Sequence, residues 1–220
     1  MMTYNYSLTQ GSDRMAYDKA LVAGKLRRWE KFMDNYCLPT WEEIPDLGLY
    51  MEQVISLLKQ YLDYLPPELK GEQFITAATI NNYVRTKIMP EPLKKRYYRS
   101  HIAYLVMICT LKQGLSIAMI QKLLPNDLGP EELQTIYERF VVRQKLSARI
   151  FVESVRSAAG PILDHDEVEL PLATDRVEDL VVSYAMVGGF SRLFAEKLLL
   201  LEGKDLSNGG SIEVRKTKKK

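Results

Sequence analysis

Ten prolines divide this chain into intervals of helix length, and nearly every interval carries apolar residues at the spacing of one helical face. Proline inside a helix removes a hydrogen bond and clashes with the preceding turn, so these intervals set upper limits on helix length. Before Pro39, residues Met15, Leu21, Val22, Leu26, Trp29 and Phe32 predict a helix over 13–36. Thr40 with Glu43 forms a capping-box pattern, which predicts a short turn. Leu47, Met51, Val54, Leu58 and Tyr61 predict a helix over 47–61, ended by Pro66 and Pro67 after a connector beginning at Asp63.

Thr76 is an N-cap candidate for a helix running to about residue 87, broken by Pro90 and Pro92. A second helix is expected over 99–112, with Gly114 as its C′ residue, and a short one over 117–124 capped by Ser116. Gly129-Pro130 opens a long amphipathic helix to residue 158, and Gly160-Pro161 closes it. A last helix is expected over 174–201, with Gly188 and Gly189 placed for close helix packing. Residues 202–220, rich in Gly, Ser and Lys, read as disordered. The expectation is an all-α protein in four parts: an N-terminal helical segment (1–37), a head (38–125), a C-terminal helical region (126–202) and a basic tail (203–220).

A composition of 46% hydrophobic and 26% charged residues is that of a globular chain. No apolar run reaches the roughly 18 residues a membrane span needs, and residues 1–10 lack the basic start and apolar centre of a secretory signal. The expectation is a cytoplasmic protein without membrane contact, its Cys37 and Cys109 being reduced thiols.

The net charge of +2 hides segregation. Between Arg85 and Arg99 stand six cations and one acid, whereas residues 161–190 hold seven acids against Arg176 alone. The basic segment combines Thr76, Thr79, Asn81, Asn82, Tyr83, Arg85 and Lys87 on a short helix with Lys94, Lys95, Arg96, Tyr97 and Arg99 on the following turn. Asn can pair bidentately with adenine, and Arg with guanine or phosphate. Asn81 and Arg85 lie four residues apart on one face, opposite Ile80 and Val84. Such a helix can enter a major groove while a basic turn grips the phosphates. The competing reading is a solvated charge run on an ordinary surface.

The order of these parts resembles the winged helix-turn-helix of MerR-type regulators. The matching landmarks are Thr79 with Tyr83, Ile88-Met89-Pro90, Arg96-Tyr97, Leu105 with Ile108, and Gly114-Leu115-Ser116 with Ile120. A closer resemblance, over 38–124, is to the bacterial domain of unknown function family 1836, whose members are predicted to bind DNA without an established function. The resemblance implies a dimeric, sequence-specific transcription regulator that binds double-stranded DNA, with the helix after Gly129 where MerR-type proteins place their dimerisation helix.

No phosphate-binding loop, nucleophile elbow or metalloprotease motif occurs. The expectation is therefore a protein that is not an enzyme and carries no cofactor or metal. Asp164-His165-Asp166-Glu167 reads as an acidic surface loop before it reads as a cation site. A small-molecule effector is left open. The alternative function is a helical adaptor that binds another protein without binding DNA.

Overall fold

A computed structural model describes residues 18–63, 75–158, 177–201 and 203–212. Among these the chain forms seven helices: α1 (Lys19–Asn35), α2 (Met51–Tyr61), α3 (Ala77–Arg85), α4 (Arg99–Leu111), α5 (Ile117–Leu123), α6 (Pro130–Ala158) and α7 (Val177–Leu199). The all-helical expectation holds. The only ladder pairing among the described residues is two isolated antiparallel bridges, Leu49 with Tyr97 and Leu93 with Arg96. The expected acidic loop at Asp164–Glu167 and the start of the last helix lie outside the described residues.

α4 is the axis of the fold. All its residues from His101 to Leu111 are buried, as a helix apolar on every side must be. α2, α6 and α7 pack around it, α1 packs on α6, and α3 packs on α2. Tyr137 carries a hydroxyl into this core and satisfies it by donating to the Pro39 carbonyl at 2.9 Å; Tyr104 does the same to Pro125 at 2.6 Å. Where α1, α6 and α7 meet, Trp29 stacks on Phe194 and takes Phe151 edge-on. Arg156 of α6 bridges Glu153 and Glu30 of α1.

Three expectations change. The segment 47–50 is not helical, because Leu49 is drawn into backbone pairing with Tyr97 and α2 starts only at Met51. Gly114 is not the C′ residue of α4, whose C-cap is Lys112. Glycine is needed there because a Cβ would meet the Ala185 carbonyl oxygen of α7 at 2.4 Å. Gly189 makes the reciprocal approach to Gln113, as close packing predicted, whereas Gly188 faces open space. Finally, residues 203–212 are not a loose tail but turns laid along α1. Arg28 donates to the Ser211 carbonyl, Ile212 packs over Gly24, and Gly209 lies against Leu21.

Thr40 and Glu43 exchange the two expected capping bonds, at 2.8 and 3.3 Å, around a turn that does not continue into a helix.

Candidate nucleic-acid interface

α3 begins where Thr76 caps it, accepting from the Thr79 amide at 3.0 Å, and the two threonine hydroxyls pair at 2.9 Å. Both hydroxyls thus serve the helix start. Ile80 and Tyr83 turn inward, which leaves Asn81 and Arg85 exposed on the opposite face, as the spacing predicted. Asn82 is half-buried and accepts from Arg85 at 2.7 Å.

The helix ends in a Schellman motif. The Lys87 amide donates to Val84 at 3.0 Å and the Ile88 amide to Tyr83 at 2.9 Å. That motif needs a left-handed residue at Lys87, which has φ 56°. The ends of this turn are fastened from α5 and the loop beyond it: Gln121 donates to the Thr86 carbonyl at 3.0 Å, and Asn126 to the Lys87 carbonyl at 2.9 Å.

The expected basic turn is a two-residue hairpin. The Arg96 amide donates to Leu93 at 2.9 Å, and between them Lys94 (φ 49°) and Lys95 (φ 63°) are both left-handed. This is the backbone of a type I′ turn, which favours Asn-Gly. The only non-glycine residues with positive φ among the described residues are thus Lys87, Lys94 and Lys95. All three are exposed. Lysine in this region gives up roughly 1 kcal/mol per residue.

Two arginines hold the hairpin down. Arg96 donates to the Gly48 carbonyl at 3.0 Å and the Tyr50 hydroxyl at 2.7 Å. Arg99 donates through Nε to the Ile44 carbonyl at 2.8 Å, and its guanidinium lies over Trp41. Leu49 and Tyr97 exchange two backbone bonds at 2.9 Å. His101 completes the clamp. Its Nδ1 accepts from the Tyr98 amide at 3.1 Å, so its Nε2 carries the proton and donates to the Glu91 carbonyl at 3.0 Å.

The twelve residues expected to touch DNA therefore separate. Asn81, Arg85, Lys87, Lys94 and Lys95 share an exposed position on α3 or the turns. Thr76, Thr79 and Asn82 mainly complete α3. Arg96 and Arg99 bind the 44–50 loop, Arg96 staying exposed and Arg99 half-buried. Tyr83 and Tyr97 are each only 3% exposed, and burial pushes both phenols up from their ordinary pKa. These last two serve the core and offer no ring to a base. The supports at Ile44, Gly48, Tyr50, Gln121 and Asn126 were not foreseen, since no local pattern joins them to the basic segment. His101 had a signal: it occupies the third position of a predicted helix, where a capping side chain reaches back.

Among the described residues no three His, Cys, Asp or Glu side chains gather where a metal ion could sit. No helix there is long and apolar enough to cross a membrane. Cys109 is fully buried, and desolvation raises its thiol pKa to about 12; Cys37 is exposed. No curated protein and no solved structure matches the chain. Residues 39–140, which run from the turn after α1 through the hairpin into α6, match the family model described as a domain of unknown function (DUF1836), and the match supports assigning this part of the chain to that family.

Proposed function

We propose that the protein is a sequence-specific DNA-binding transcription regulator built like a MerR-type winged helix-turn-helix. In this reading α3 enters the major groove, the 93–96 hairpin is the wing, and α6 pairs two protomers. The observation that carries it is the choice of residue at three strained positions. Lys87, Lys94 and Lys95 stand where backbone energetics favour Gly or Asn. Stability does not account for that choice, whereas contact with phosphates does. Asn81 and Arg85 then supply base recognition from one face of α3. Exposed Val142 and Leu146, one turn apart on α6, support the pairing of protomers.

Mobility-shift assays on genomic fragments test this reading. Asn81→Ala should lose preference for the bound fragment yet keep salt-sensitive binding to any duplex. A wild-type chain that retards no fragment at low salt contradicts the proposal.

One observation favours the adaptor reading instead. Leu47, Tyr50 and Leu93 are 69%, 54% and 63% exposed on the two segments that the bridges bring together. An apolar margin around the hairpin suits a protein partner. Retention on immobilised duplex DNA separates the two readings, because an adaptor shows none.

A further inference from the structure

Away from the basic segment, a cavity of about 400 Å³ opens where α4, α5, α6 and α7 meet. Small-molecule sites commonly measure roughly 300–1,000 Å³. Leu111, Leu124 and Phe140 make its buried floor, and Leu123, Ile136 and Val182 its half-buried walls. Arg139 and Arg143 also line it, each with a partner of its own within the chain. What selects a ligand lies one turn further along α6. The stripe of Ile136 and Phe140 continues there into Gln144, and Ser147 follows on the same face. α7 runs beside α6 in the same direction: Val182 lines the cavity with Phe140, and Phe190 lies against Phe151. That register puts Ser183 level with Gln144.

Gln144, Ser147 and Ser183 are 1%, 0% and 1% exposed. Among the described residues, neither the oxygen nor the nitrogen of the Gln144 amide has a hydrogen-bond partner, and neither serine hydroxyl has one. Buried polar groups ordinarily do, because their desolvation otherwise goes uncompensated. A helical side chain leans toward the N-terminus of its helix, so Gln144 reaches back over the turn of Phe140, toward the cavity. We propose that the cavity binds an uncharged molecule with an apolar body and a carboxamide-like head, a group that both donates and accepts. The body displaces water from the leucine-lined floor. The head passes the Phe140 ring and pairs with the Gln144 amide, and the hydroxyls of Ser147 and Ser183 supply further donors and acceptors. A carboxylate or an ammonium loses its hydration at that depth and meets three uncharged side chains in return.

The test uses the full chain with the neutral fluorescent probe phenylnaphthylamine, displaced by octanamide, octanoate or octylamine, which share one chain length and differ in the head. Octanamide should compete about tenfold more tightly than either ion. Gln144→Leu should weaken octanamide by about tenfold and leave the probe's own affinity unchanged; should it fail to fold, Gln144→Met serves. Leu123→Trp on the half-buried wall should exclude the probe and all three competitors by filling the cavity. Melting curves establish that each variant is folded. Octanoate or octylamine competing as well as octanamide, octanamide affinity unchanged in the folded Gln144 variant, binding unchanged in Leu123→Trp, or no probe binding to the folded wild-type chain each overturns the proposal.

Discussion

Arg96 reaches back to Tyr50: one guanidinium nitrogen donates to the tyrosine hydroxyl at 2.7 Å, while the guanidinium carbon sits 4.4 Å from the centre of the same ring. With the bond to Gly48, this fastens the hairpin to the segment before α2. Such a contact uses the planar fork of arginine as well as its charge. Arg96→Lys should therefore destabilise almost as much as Arg96→Ala, each by about 1–2 kcal/mol in urea unfolding. If Arg96→Lys unfolds like the wild type, the clamp contributes only charge.

Lys94 and Lys95 predict the opposite sign. Replacing the pair by Asn-Gly should relieve about 1–2 kcal/mol of backbone strain and raise the unfolding midpoint. Lys87→Gly at the Schellman position should do the same on a smaller scale. Under the proposed function each change weakens DNA binding, so stability and affinity move apart. A loss of both together would mean that these lysines hold the fold.

Buried titratable groups set an alkaline limit. Desolvation raises the Cys109 thiol from an ordinary 9.0 to about 12 and the Tyr104 phenol from 10.0 to about 12; Tyr83 and Tyr137 are pushed up as well. A raised folded pKa means that the folded chain holds protons the unfolded chain releases. The stability is therefore complete below pH 9 and is lost as pH rises through roughly 9–12. Denaturant midpoints should fall steadily across that window. A thiol reagent at neutral pH should label exposed Cys37 quickly and Cys109 only on unfolding. Equal labelling rates would contradict the burial of Cys109.

The helices were legible because their signals are local. The proline intervals, the Thr76 cap and the spacing of Asn81 and Arg85 all act within a few turns. What escaped depends on partners distant in sequence. Nothing near Arg96 or Arg99 announces Gly48, Tyr50 or Ile44, some fifty residues earlier, so the bonds that fasten the hairpin do not show in the sequence. Tyr83 and Tyr97 are ambiguous in the sequence for the same reason: an aromatic beside cations suits a groove or a core equally well, and both are buried. The left-handed lysines were hidden because lysine carries no preference for that backbone. The turns over 203–212 were misread because polar, glycine-rich composition does not disclose that α1 offers a surface to lie on.

The central claim is that exposed cations on α3 and the hairpin bind DNA, and its most direct measurement is the salt dependence of duplex binding. With the full chain and a labelled genomic duplex, affinity should fall steeply with salt, since each neutralised phosphate contributes a slope of about −0.9. Lys94→Glu with Lys95→Glu should make the slope shallower by roughly 2 units per protomer while leaving the melting temperature near that of wild type. An unchanged slope in this variant, or no salt-dependent binding by the wild-type chain, would contradict the account.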